Sequence, residues 1–292
     1  MSGPRRLILQ NLFGLKWNPF LADIPARALS IDSALQSFLA RMEHLCDSGG
    51  YALVTGAPGT GKSAALRVLE HRLSESPELQ CVILTRPQCS VNDFYRELGD
   101  LFAIRLNPCN RWGGSKLLRE RWLQHVQESG KRAVVLLDEA QEAQDVVLNE
   151  LRLMSSSRLD SMNLLTVVLA GDERLGEHLR GPRLLPIASR VRVRLQLGTK
   201  EVDVLREILV RVLEEAGAKA LVTPEVLDAL ATHAGGNLRV MMHLAAELLE
   251  AAVRLETERI DAKLFHETFD ALAATVQGSA RRTRRASRGT EP

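Results

Sequence analysis

Eight residues, GAPGTGKS at 56–63, limit this chain more than any other feature. They fit the spacing G-x-x-x-x-G-K-[ST], follow the apolar run YALVT and lead into a helical pattern, which is the context this spacing requires. Glycines let the backbone curl until its N–H groups point inward at one place, and the positive end of the next helix adds to the field there. The ligand such a loop suits is a nucleotide polyphosphate. Gly56, Ala57, Pro58, Gly59, Thr60 and Gly61 would wrap its phosphates, with Ala64 in the helix that follows. Lys62 would sit against the β- and γ-phosphates, and the Ser63 hydroxyl would ligate Mg2+.

Around this loop, strand-length apolar runs alternate with helical patterns. YALVTG (51–56), CVILTR (81–86), AVVLLDE (133–139) and LLTVVLAG (164–171) suit strands buried on both faces, hence a parallel sheet. RVRVRLQL (190–197) alternates Arg with Val and Leu and reads as an edge strand with one wet face. Helices are expected over 63–73, 91–101, 116–128 and 146–154. The fold class is therefore α/β, a P-loop core on a parallel five-stranded sheet.

After Gly198 the strand signal stops. Residues 201–217 place Val202, Leu205, Ile208, Leu209, Val212 and Leu213 on one helical face, and Gly217 ends the run. Thr223-Pro224-Glu225 is a helix start with Thr223 as N-cap, and further helices fit 237–256 and 260–273. The expected division is an α/β domain with an N-terminal extension over 1–198, a small all-helical lid over 199–273 and a basic, disordered tail over 274–292.

AVVLLDEAQ (133–141) supplies a second chemical signal. A buried strand ending in two acids is costly unless those acids face something charged. Asp138 would hold Mg2+ through its water shell, and Glu139 would polarise an attacking water as general base. The plainer alternative is a strand running into an acidic helix start. The second acid separates hydrolysing engines from kinases that pass phosphate to a metabolite.

Bulk properties mainly exclude. With 38 Lys and Arg against 36 Asp and Glu, the net charge of +2 does not by itself predict nucleic-acid binding. Cys46, Cys81, Cys89 and Cys109 form no C-x-x-C and read as reduced thiols, and the seven histidines show no metal-binding rhythm. The N-terminal apolar run is too short for a signal peptide, and no stretch approaches 18 apolar residues, so the expectation is a cytoplasmic chain with no membrane span.

With these motifs, the chain resembles the AAA+ ATPases, and within them the ExeA/GspA group and the transposition ATPases of the TniB and TnsC type. The resemblance covers roughly 11–273 and rests on FGLKWNPF (13–20), GAPGTGKS, VVLLDEAQ, VVLAGDERL (167–175), LLPIASRV (184–191) and GGNLRVMMHLAAEL (235–248). It implies ATP and Mg2+ as cofactors and ATP hydrolysis to ADP and phosphate as the activity, slow and stimulated by DNA or a partner. Phe13, Pro19 and Phe20 would shape the adenine side of the pocket, or simply staple the core. Arg239 matches the sensor-2 arginine, and Arg190 matches the arginine finger given to a neighbouring subunit, with Arg183, Arg192 and Arg194 close by in sequence. Asp172 aligns with sensor 1, usually an uncharged polar residue. A carboxylate there would be repelled by a γ-phosphate unless metal, water or arginine intervenes.

A finger in trans implies an ATP-promoted homo-oligomer, a ring or helical filament with six subunits per turn. For the transposition type, the resemblance implies duplex DNA held by the assembly, with a transposase and a target-selection protein as partners. Arg111 and Lys116 in the glycine-bearing loop 107–116 are the candidate DNA contacts, and the arginine-rich tail could add phosphate contacts or serve only solubility. The alternatives are an ExeA/GspA-like secretion-associated ATPase, whose members are expected to add a membrane span and a peptidoglycan-binding portion, and a nucleotide-gated scaffold with little turnover. Initiator-type relatives would normally add a winged-helix domain.

Overall fold

The computed structural model describes residues 9–103, 130–157, 162–163 and 165–269, together with positions 117, 120, 124 and 128. The expected helix over 116–128, the loop 107–116 with Arg111 and Lys116, Cys109 and the tail lie wholly or largely outside the described residues. What is described falls into two compact units, one within Ile31–Gly198 and one drawn from Met1–Ser30 and Thr199–Pro292.

The first unit opens with helix α1 (Ser33–Ser48), capped by the Asp32 carboxylate accepting from Leu35 N at 2.8 Å. Its buried residues, Leu35, Phe38, Leu39, Met42, Leu45 and Cys46, recur at three- and four-residue steps along one face. There follow β1 (Gly50–Gly56), α2 (Lys62–Ser74), β2 (Leu79–Leu84), α3 (Val91–Leu101) and β3 (Arg132–Leu137). Next come α4 (Asp145–Ser155), a small antiparallel ribbon of β4 (Ser156–Ser157) and β5 (Met162–Asn163), then β6 (Leu165–Gly171). The unit closes with α5 (Glu173–Arg180), α6 (Leu185–Ala188) and β7 (Val191–Leu197).

The five long strands form one sheet in the order β2–β3–β6–β1–β7, with every neighbour parallel. In the middle of the sheet Val134, Val135, Leu136, Val167, Val168 and Leu169 are fully buried, which is why those runs carry no alternation. Each such Val or Leu removes apolar surface worth roughly 1.5–3 kcal/mol. β7 alternates exposed Arg192, Arg194 and Gln196 with buried Val193, Leu195 and Leu197, as expected of an edge. β2 departs from expectation. Its run reads as buried on both faces, yet it is the opposite outer strand, and Ile83 is exposed.

Register matters most for function. Thr55 is level with Gly171, and Leu137 with Leu169 and Leu84, so the chain leaves β1, β3 and β6 side by side at their carboxyl ends. Ligands of open α/β sheets sit beyond that edge.

The second unit is helical: residues 9–13, a 3-10 turn at Ala26–Ala28, α7 (Val202–Ala216), α8 (Pro224–His233), α9 (Leu238–Arg254) and residues 262–269. Three expectations change here. The N-terminal extension, expected with the α/β domain, packs instead into this unit, where Leu9, Leu15, Phe20, Ile24 and Ala28 join its apolar core and Lys16 N donates to Ala216 O at 3.0 Å. Val202 is 42% exposed at the start of α7, and Ala216 takes the remaining place on the buried face. Thr223 occupies the N-cap position of α8, but its hydroxyl makes no cap bond, and its N–H donates to Ile260 O at 3.0 Å. Gly217 ends α7 in the left-handed region at φ 92°, as its position predicts.

Candidate nucleotide site

The loop between β1 and α2 is built from its glycines. Gly59 and Gly61 have φ of 84° and 105°, which side chains rarely adopt. Gly56 is required for a different reason, since a Cβ there would stand 2.5 Å from Leu197 O on β7 and 2.7 Å from Thr60 Oγ1. Thr60 Oγ1 donates to Ala57 O at 2.8 Å and closes the turn from inside.

Lys62 is the first residue of α2 and is buried, 6% exposed. Its ammonium donates to Gly56 O at 2.9 Å and Ala57 O at 3.2 Å, so the charge is held within the loop. Ser63 Oγ donates to Asp138 Oδ2 at 2.7 Å. Thus the first residue beyond β3 meets the first turn of α2. One hydroxyl and one carboxylate, both hard oxygen donors, suit a Mg2+ ion that takes its remaining ligands from phosphate and water. Among the described residues there is no group of three or more His, Cys, Asp or Glu able to hold a metal by themselves.

Glu139 follows Asp138 and is exposed, with φ 50°. For a non-glycine residue such a left-handed backbone is uncommon and costs about 1–3 kcal/mol unless its surroundings enforce it. Two contacts hold this turn: Glu139 N donates to Asp138 Oδ1 at 2.9 Å, and Gln141 Nε2 donates to Glu139 Oε2 at 2.6 Å.

Asp172 stands just beyond β6 as the N-cap of α5. Its Oδ1 accepts from Arg174 N at 2.9 Å, and its Oδ2 accepts from Arg174 Nε at 2.9 Å and Nη2 at 2.8 Å. Arg174 Nη2 also donates to Glu142 Oε1 at 3.0 Å. The Arg174 guanidinium holds the Asp172 carboxyl below its ordinary value, and the charge of Lys62 adds a smaller pull in the same direction. Of the ways to tolerate an acid at this position, the structure shows an arginine.

Arg190 ends the α6 turn and folds back so that Nη1 donates to Pro186 O at 2.5 Å. Its neighbours are engaged elsewhere: Arg183 lies 3.8 Å from Asp145, and Arg192 Nη1 reaches Ser48 Oγ at 3.3 Å. Arg239 is exposed in the first turn of α9, where its N–H and that of Val240 are capped by Asn237 Oδ1. Phe13 and Phe20 pack with the core of the helical unit, and Pro19 is buried.

Lys62, Ser63, Asp138, Glu139 and Asp172 thus converge at the tips of β1, β3 and β6. Gln141 and Arg174 join them without having been singled out from sequence. The signals were a polar residue two places after Glu139 and an arginine two places after Asp172, each silent until the strands are aligned.

A family model for the AAA domain matches residues 45–179. General secretion pathway protein A of Aeromonas hydrophila is 31% identical over 274 residues, covering 91% of this chain and 48% of that relative, so the chain spans about half its length. Among solved structures, the Aeropyrum pernix ORC2 protein in its ADP form superposes with a TM-score of 0.71 at 15% identity, over 88% of this chain and 72% of that one. The Aeropyrum pernix ORC1 protein in complex with DNA gives 0.66 at 19% identity, over 87% and 68%. Drosophila ORC bound to DNA gives 0.64 at 19% identity, over 89% and 66%. Among the described residues no helix is long and apolar enough to cross a membrane. The parallel sheet and the glycine loop make an α/β P-loop AAA+ fold, with residues 45–179 similar to the AAA domain, followed by a helical C-terminal region.

Proposed function

We propose that this chain is a Mg2+-dependent ATPase whose nucleotide state controls its assembly on duplex DNA, and that the assembly recruits or activates a transposase. The observation that carries the catalytic part is the 2.7 Å contact between Ser63 and Asp138, with buried Lys62 on one side and Glu139 on the other. In this reading Lys62 and the N–H groups of 57–63 other than Pro58, which has none, would bind the phosphates, and Ser63 and Asp138 would hold Mg2+, directly and through water. Bound Mg2+ supplies charge neutralisation among the phosphate oxygens. Glu139 takes the proton of the attacking water as its oxygen bonds to the γ-phosphorus and the bond to ADP breaks.

Arg190 completes the site of a neighbouring subunit, and Arg239 reports the γ-phosphate to the helical unit. The homo-oligomer is then a ring or filament that forms with ATP. DNA as the gripped polymer is supported by the fold shared with two DNA-bound ORC proteins, with Arg111, Lys116 and the tail as backbone contacts.

A second reading is favoured by the 31% identity to General secretion pathway protein A: the same ATPase serves a secretion-associated assembly. Electron microscopy and ATP turnover with and without duplex DNA separate the two. DNA-nucleated, ATP-dependent polymers that persist in Glu139→Gln and vanish in Lys62→Ala support the first reading. Turnover and oligomers indifferent to DNA favour the second. Nucleotide-dependent assembly with turnover no faster in the wild type than in Glu139→Gln would leave a scaffold without hydrolysis.

A further inference from the structure

We propose that Gln141 is a positioning residue for Glu139, its carboxamide spanning from the tip of β6 to the Glu139 carboxylate. The inference rests on Glu139 being the general base of ATP hydrolysis. Gln141 Nε2 donates to Glu139 Oε2 at 2.6 Å, and Gln141 Oε1 accepts from Asp172 N at 3.3 Å. A carboxylate can only accept and a backbone N–H can only donate, so these two partners fix which end of the amide points where.

The surroundings are shaped for this side chain. A Cβ on Gly171 would lie 2.3 Å from Gln141 Oε1, so the last residue of β6 must be glycine for the amide to approach. The left-handed turn at Glu139 leads into the 3-10 turn Ala140–Glu142, bringing residue 141 back over residue 139. Ala140, fully buried between them, anchors the reversal. The carboxylate of Asp172 is engaged by Arg174, so the uncharged polar group at the β6 tip is the Gln141 amide. The result is a β3 acid tied to the strand between it and the phosphate loop.

For a base, this tie has a chemical meaning. One carboxylate oxygen of Glu139 is held by the amide, which fixes the plane of the group and leaves the other oxygen to take the proton of water. Movement of the β6 tip would then shift the base without any change in the phosphate loop.

Five variants, read by turnover, ADP affinity and NMR, test this. Gln141→Ala should lower kcat about 10- to 100-fold, part of the roughly 100- to 10,000-fold that a positioned general base contributes, while fluorescent-ADP affinity stays within about twofold. Gln141→Asn is too short to span both partners and should not rescue. Gly171→Ala, which displaces the amide from the other side, should reproduce the loss. Independently of turnover, in nucleotide-free protein with 15N-labelled glutamine, the side-chain NH2 signal that disappears in Gln141→Glu should shift in Glu139→Gln. Wild-type turnover in Gln141→Ala, or an unmoved NH2 signal, would overturn the assignment alone. Wild-type turnover no faster than Glu139→Gln would overturn the general-base reading and this assignment with it.

Discussion

Replacing Gly56 by alanine adds one methyl group at the junction of β1 and the phosphate loop. The new Cβ would stand 2.5 Å from Leu197 O, 2.7 Å from Thr60 Oγ1 and 3.0 Å from Leu197 Cβ. The nearest obstacle is a backbone carbonyl of β7, and Gly56 is paired in register with Leu197, so no rotamer change relieves it. Either β7 shifts away from β1, or the loop opens and Thr60 gives up its bond to Ala57 O. Overpacking against backbone costs about 1–3 kcal/mol, and the lost hydrogen bond about 0.5–1.5 kcal/mol more. For a unit the size of Ile31–Gly198 roughly 2–4 kcal/mol corresponds to a fall in Tm of about 6–11 °C. Scanning calorimetry with and without ADP measures it, and ADP affinity should drop at least tenfold, an estimate set by about 1.4 kcal/mol per decade. Gly176→Ala is the matched control. Its Cβ meets nothing within 4 Å, in the interior of α5, where alanine should stabilise by up to about 1 kcal/mol. A Gly56→Ala protein that melts within 2 °C of wild type (roughly the noise of one such comparison) and binds ADP normally would refute the argument.

Other perturbations probe the surroundings. Arg174→Met removes the partner that holds Asp172 below its ordinary carboxyl value. That stabilisation is present above the unfolded value near 3.8 and is lost as pH falls through the depressed one, so urea curves of variant and wild type should differ at pH 7 and draw together as pH falls below 3.8. Burial pushes the Cys46 thiol from 9.0 up to about 11, so its thiolate fraction at pH 8 is about 100-fold below that of an ordinary thiol. Mass-spectrometric alkylation should find Cys46 protected until the chain is unfolded. Tyr95 donates its hydroxyl to the buried Glu150 carboxylate, and Tyr95→Phe should cost about 1.5–3 kcal/mol in thermal unfolding. Glu150→Gln, which keeps an acceptor, should cost less.

The sheet was largely legible because burial on both faces writes itself as uninterrupted Val, Leu and Ile, and because β7 alternates. The same signal misplaced β2, since an outer strand covered by helices on its faces carries nearly the same composition. Helix α1 was overlooked although its cap and spacing are plain, with Asp32 ahead of Leu35, Phe38, Leu39 and Met42. Lys62, Ser63, Asp138 and Glu139 were found because each sits in a short contiguous motif. Gln141 and Arg174 were not, because their meaning depends on the alignment of β3 with β6, a contact across some 30 residues of chain. The packing of residues 9–28 against α7 and its neighbours is longer-range still, and no local pattern announces it.

The outer strand β7 bears on how copies of this protein can meet. An unpaired strand is ordinarily a template on which another chain can extend the sheet. Here α1 sends Arg41 Nη2 to Arg192 O at 3.1 Å, occupying a main-chain acceptor, while Arg192, Arg194 and Gln196 project outward along the strand. Sheet continuation is thereby discouraged on this side, and contacts between copies are left to side chains. Junctions of that kind are reversible, whereas a shared sheet would lock.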